Sequence, residues 1–295
     1  MHSRTPPHWR VMANTASSTI PALDTTVRPD PHVQSEVADQ PSAAILVAED
    51  NEVNQQVVRY VVQALGYNVD VVANGREAVA ALANRAYAAI LMDIQMPEMD
   101  GYMATVEIRR IEGTARHTPI IALTAHVLHG EREKCLAAGM DDYLSKPIVP
   151  QALAAALKRW VGRDIQEPAN LIPSEPSVDA PLDSTVLANL RKLKSASGET
   201  ILPQLLATFS AATPPRLAAL RAAIAAEDVH AVSHGAHTLK GSSATMGARR
   251  MAQLCADLEM LGQTSDLSHA TSILADIEAE FARVRTALEQ EIMKV

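Results

Sequence analysis

Aromatic residues are scarce in this chain: Phe, Trp and Tyr together make up 3% of its 295 residues. That argues against a surface that holds single-stranded nucleic acid by stacking bases on rings. Basic residues are also outnumbered, 26 Lys and Arg against 34 Asp and Glu, and the formal charge of -8 at pH 7 argues against a broad cationic face for nucleic acid or anionic lipid. No run approaches the roughly 18 consecutive apolar residues that a spanning helix needs, so direct membrane insertion is not expected. The two cysteines, Cys135 and Cys255, are far apart and suit a reducing compartment, so a cytoplasmic location is expected. The first ten residues lack an apolar core behind their charges and do not read as an export signal.

What is present is 47% apolar content, enough over this length for two domains with a core each. Residues 1–42 are rich in proline, serine, threonine and charge without periodicity, and predict a disordered tail. From 43 to 163, short continuous apolar runs alternate with helical spacing. Strands are expected at 43–48, 69–72, 88–93, 119–123 and 142–145, and helices at 58–65, 76–82, 102–111, 131–138 and 151–161. Five strand-helix units predict an α/β doubly wound, five-stranded parallel sheet, since parallel neighbours need crossovers. Residues 164–181 carry four prolines and four acids with no base, and read as a linker. From 182 to 295 strand signals vanish and alanine- and leucine-rich helical segments follow one another, predicting a separate all-α bundle. Pro214, Pro215 and Gly262 are expected to punctuate its helices. By direct count the tail and linker hold -5 of the charge, the sheet domain -2 and the bundle -1.

Ligands of an open parallel sheet bind beyond the carboxyl ends of its strands. Glu49 and Asp50 follow the first strand, Asp93 ends the third, Thr124 ends the fourth and Lys146 follows the fifth. Carboxylates 4 Å apart repel by about 4 kcal/mol per pair at an effective dielectric of 20, so three of them call for a cation, and oxygen-only ligands suit Mg²⁺. The segments Ala48-Glu49-Asp50-Asn51, Met92-Asp93 through Pro97 to Asp100-Gly101, Leu123-Thr124-Ala125 and Lys146-Pro147 resemble the response-regulator receiver domain, with its flavodoxin-like fold. The resemblance implies Asp93 as phosphoacceptor, Glu49, Asp50, Asp93 and the Gln95 backbone carbonyl around Mg²⁺, and Thr124 and Lys146 on the phosphoryl oxygens. It also implies Tyr143 as a switch ring that follows Thr124, a signalling face on the fourth helix, fifth strand and fifth helix, and Gln95 and His126 flanking the phosphoryl group. A receiver that keeps the fold and has lost the chemistry is the competing reading.

His230, His234 and His237 share one helical face, opposite a core stripe of Val232, Ala236, Leu239, Ser243 and Met246. The histidines are therefore expected to face solvent, with Lys240 one turn from His237 and Gly241 leaving the helix bare for a partner's approach. A zinc pair from His230 and His234 is geometrically open, but no acid or cysteine accompanies it, and polar surface is the expected role. The run Ala236-His237-Thr238-Leu239-Lys240-Gly241 resembles the histidine phosphotransfer (HPt) domain. That implies His237 as a second phosphoacceptor, supported by Lys240 and Gly241. The two resemblances imply a phosphorelay protein, as in the C-terminal part of hybrid sensor kinases. Its partners would be an upstream histidine kinase and a downstream response-regulator receiver. With no ATP-binding motif or basic recognition helix in view, it is read as a phosphotransfer intermediate, not an enzyme, for which slow autodephosphorylation is possible. A phosphorylation-regulated binding module and a detached tail of a membrane sensor kinase are the alternatives.

Overall fold

The computed structural model describes residues 43–124, 131–162, 180–194 and 198–293. The predicted tail and nearly all of the predicted linker lie outside the described residues. Five strands, β1 (Ala44–Ala48), β2 (Asn68–Val72), β3 (Ala89–Asp93), β4 (Ile120–Thr124) and β5 (Asp142–Ser145), form one parallel sheet in the order β2-β1-β3-β4-β5. Every residue of β1, β3 and β4 is buried, as continuous apolar runs covered on both faces require. The crossovers are α1 (Glu52–Ala64), α2 (Gly75–Asn84), α3 (Gly101–Glu112) and α4 (Glu131–Ala138), and α5 (Pro150–Val161) follows β5. Caps fix where the helices start: Asn51 accepts from the amides of Val53 and Asn54 to open α1, and Asp100 accepts from Met103 to open α3.

The register aligns Ala48 with Met92, Asp93 with Leu123 and Thr124 with Ser145, so the carboxyl ends of the central strands finish together. Gly101 sits so close under this edge that a Cβ there would lie 2.2 Å from the Asp93 carbonyl oxygen. Only glycine lets the β3–α3 loop fold back beneath Asp93.

The bundle comprises α6 (Ser184–Lys192), α7 (Leu202–Ala225), α8 (Val229–Thr245), α9 (Arg249–Thr264) and α10 (Ala270–Ile292). Its four long helices close a ring, α7 and α9 each packing on both α8 and α10. Two expected breaks are not breaks. Pro214 and Pro215 lie inside α7, both exposed, and the carbonyls their rings deprive of a donor belong to half-buried Ser210 and exposed Ala211, where water can serve them. Phe209, Thr213, Leu217 and Leu220, all buried, hold the helix continuous through the prolines. Gly262 lies inside α9, where a Cβ would meet Ser233 N at 2.7 Å and Val229 O at 2.8 Å, so it serves the close approach of α8 and α9.

The apolar residues form two clusters. One, under α2, α3 and α4, includes Leu46, Ile90, Met92, Ile108 and Cys135. The other begins on the opposite face of the sheet with Val53, Val61, Leu153 and Leu157 and runs on through Leu187, Leu205, Phe209, Leu239 and Phe281 of the bundle. The two halves were expected to have separate cores, whereas on this face they share one.

Candidate functional site

At the carboxyl edge of the sheet, Glu49, Asp50 and Asp93 each offer a carboxylate oxygen, all within 4.8 Å of one another. Glu49 and Asp93 are buried. Lys146 Nζ lies 2.6 Å from Asp93 Oδ2 and 2.7 Å from Glu49 Oε2, and the Gln95 amide donates to Asp93 Oδ1 at 3.3 Å. Asn54 Nδ2 donates to Glu49 Oε1 at 3.0 Å. Burial first, then the Glu49 charge, pushes Asp93 well above the usual carboxylate range, with Lys146 only partly offsetting them. Asp50 is raised by the same two causes and eased by His234, Lys146 and Thr238. Burial works against the charge of Lys146, but Asp93 and Glu49 outweigh it and hold the ammonium above its ordinary value. Three acids facing one ammonium, with oxygen as the only donor type, fit a hard divalent cation.

Thr124 is buried at the end of β4, and its carbonyl accepts from the Lys146 amide at 2.7 Å. Tyr143 is half-buried against the α2–α4 apolar cluster. The Gln95 side chain is exposed, and His126 lies outside the described residues.

The second half of the site comes from α8. Val232, Ala236, Leu239, Ser243 and Met246 are fully buried, as their spacing predicts. The opposite face departs from the expectation. His230 is exposed and His234 half-buried, but His237 is 6% exposed. The face expected to meet solvent is covered, because α8 lies against the receiver-like half: Thr238 Oγ1 is 3.1 Å from Asp50 Oδ2, His234 Nε2 is 3.6 Å from the same oxygen, and Asn51 Nδ2 donates to the Thr238 carbonyl at 2.7 Å. Gly241 is the point of close approach, where a Cβ would sit 3.2 Å from Asn54 Nδ2. Farther out, Thr245 bonds Asn54, Thr208 bonds Gln56, and Tyr60 donates to Gln204 at 2.6 Å.

Within the bundle, Glu259 on α9 holds both His237 and Lys240 of α8. Its Oε1 lies 2.8 Å from His237 Nδ1 and its Oε2 2.6 Å from Lys240 Nζ. Burial alone would raise this carboxyl, but His237 and Lys240 outweigh it and hold Glu259 below the usual range. An ionised carboxylate only accepts, so His237 donates to it through Nδ1, and Nε2 is the ring nitrogen left facing away from Glu259.

Glu259, Thr238, Asn51 and Asn54 were not singled out as site residues by their spacing. Glu259 left one trace: it falls on the buried stripe of Met251, Leu254, Cys255, Leu258 and Gly262, where periodicity asks for an apolar residue.

A doubly wound sheet with an acidic carboxyl edge, met by a helical bundle that presents a buried histidine, defines a two-component phosphotransfer protein. Residues 45–158 match the family described as response regulator receiver domain, and residues 204–287 match the Hpt domain. Residues 45–158 are thus a receiver domain and residues 204–287 an Hpt domain. The chain is 33% identical over 252 residues to the sensor protein GacS of Pseudomonas syringae pv. syringae, covering 84% of this chain and 27% of that one. It is 32% identical over 215 residues to the aerobic respiration control sensor protein ArcB of Escherichia coli K12, covering 72% and 27%. The chain thus spans about a quarter of the length of these relatives. Its receiver half is also similar to the crystal structure of the receiver domain of sensor histidine kinase PA1611 from Pseudomonas aeruginosa PAO1, which has a magnesium ion coordinated in its active-site cleft; the identity is 50%, the TM-score 0.39, and the match covers 41% of this chain and 99% of that one. Among the described residues no helix is long and apolar enough to cross a membrane.

Proposed function

We propose that Asp93 and His237 are successive phosphoacceptors of one relay. The receiver (43–163) accepts from an upstream histidine kinase, and the bundle (182–295, joined through 164–181) passes the group to a downstream receiver. In the first step an Asp93 oxygen attacks the phosphorus of a donor phosphohistidine, and the P–N bond breaks with its electron pair returning to the donor ring. In the second, the Nε2 lone pair of His237 attacks the phosphorus of the Asp93 acyl phosphate, and the P–O pair returns to the carboxylate. The Nδ1 proton stays on His237, facing Glu259. Lys146 and the Thr124 hydroxyl bind phosphoryl oxygens on the receiver side, and Lys240 binds them on the bundle side. Mg²⁺ held by Glu49, Asp50, Asp93 and the Gln95 carbonyl would supply the charge neutralisation that a phosphoryl group needs beside three acids. Tyr143 is the ring that follows Thr124 when the pocket fills. The chain is a carrier in this reading, and a reducing, cytoplasmic setting suits its two buried cysteines, neither of which is in a disulfide.

The observation that carries the proposal is the contact of Thr238 with Asp50, because it places the turn of α8 that holds His237 against the acidic cluster. The test is phosphoryl transfer from a labelled histidine kinase to the purified chain. Asp93→Ala is expected to accept no label on either domain. Label appearing on His237 in that variant, at the wild-type rate, would overturn Asp93 as the point of entry.

A further inference from the structure

One residue of the bundle is gripped from two sides by the loop that leaves β1. The Thr238 hydroxyl is 3.1 Å from Asp50 Oδ2, and the Thr238 carbonyl accepts from Asn51 Nδ2 at 2.7 Å. Asn51 uses both ends of its amide, since its oxygen caps α1 through Val53 and Asn54 while its nitrogen holds α8. The Thr238 hydroxyl has a second acceptor, the His234 carbonyl of its own helix, also at 3.1 Å. Its single proton therefore has two seats, one inside α8 and one on the receiver. Only the second is lost when the halves separate, so the helix does not depend on it.

Asp50 is the member of the acidic cluster that this contact reaches. A carboxylate has about four lone-pair sites, so Oδ2 can accept from Thr238 while the group still ligates a cation. Hydrogen bonds to the outer side of a ligating carboxylate fix its orientation and strengthen the site. We propose that Thr238 is a positioning residue of the receiver's cation site, supplied across the domain boundary by the bundle. Loading of the cation and seating of α8 then favour each other by the same factor, as linkage requires. This rests on the reading of Asp50 as a cation ligand.

The test is calorimetric titration of the full chain with Mg²⁺ alone, with no phosphodonor present. Thr238→Val keeps the shape and removes the hydroxyl, and is expected to weaken Mg²⁺ binding roughly tenfold. Thr238→Ser restores the donor and is expected to bind like wild type. Gln204→Ala removes the Tyr60 contact at the far end of the same interface and is expected to leave the affinity near wild type. An unchanged affinity in Thr238→Val, a failure of Thr238→Ser to restore it, or an equal loss in Gln204→Ala would each overturn the proposal. Asp50→Asn separates the two levels. If wild type binds no Mg²⁺, or Asp50→Asn binds as well as wild type, the cation-site reading falls and this inference with it. If Asp50→Asn loses binding while Thr238→Val does not, only the contribution across the boundary falls.

Discussion

At Glu259 three side chains converge on one carboxylate, His237 through Nδ1, Lys240 through Nζ and Gln263 through Nε2. The charge does two things there: it takes up Nδ1 of His237, which in the proposed relay leaves Nε2 to attack, and it holds Lys240 on the same carboxylate. Glu259→Gln keeps an acceptor but loses the charge-assisted hydrogen bonds, each worth about 1.5–3 kcal/mol. Transfer to His237 is expected to slow by roughly tenfold to a hundredfold in single-turnover assays, with an unchanged rate as the contrary result. The same carboxyl links stability to pH. Its value in the folded chain lies below the ordinary 4.5, so its stabilisation is complete above that value and is lost as pH falls through the lower, folded one. The gap in urea stability between wild type and Glu259→Gln should be constant near neutrality and shrink below about pH 4.5; a gap that widens on acidification contradicts it. The gathering of Asp93, Asp50 and Lys146 at one edge was legible in the sequence because they end or directly follow parallel strands, whose carboxyl ends finish together. Glu259 was not, because an acid within a helix ordinarily marks a solvated face, and only its place on the buried stripe sets it apart.

Among the elements, the five strands of the sheet were readable because continuous apolar runs between helical segments leave few other arrangements. Helix ends were less readable in the bundle. A proline pair ordinarily breaks a helix, yet α7 passes through Pro214 and Pro215 because both rings point to solvent while Phe209, Thr213 and Leu217 anchor the turns on either side. Local chemistry and tertiary packing disagree at this point, and packing prevails. Replacing either proline by alanine returns a backbone donor and removes a ring clash, against a smaller loss from a freer unfolded chain. Each change is expected to raise stability by about 1–2 kcal/mol. Urea denaturation measures this directly, and destabilisation would mean that the proline pair contributes to the packing of the bundle. Gly262 misled in the same way, since its role depends on the nearness of α8, which sequence spacing along α9 does not reveal.

For the whole molecule, the solvent-facing prediction for His237 failed for a reason that bears on function. The helical wheel separated the two faces of α8 correctly, but a wheel cannot tell water from a neighbouring domain. That face of α8 meets the chain's own receiver, joined through polar contacts around Asp50, Asn51, Asn54, Gln56 and Tyr60 and through the shared apolar cluster, while the His237 ring itself is held by Glu259 of α9. In the proposed relay, docking of this kind holds donor and acceptor at an effective concentration that free chains do not reach. The central claim, that Asp93 and His237 exchange a phosphoryl group within one chain, is tested by following ³²P from acetyl phosphate and Mg²⁺ to base-stable phosphohistidine over a range of protein concentrations. The account predicts a wild-type rate that does not change on dilution, while an equimolar mixture of Asp93→Ala and His237→Ala chains labels His237 slowly and in proportion to concentration. A mixture that labels His237 as fast as wild type, or a wild-type rate that falls on dilution, would contradict it.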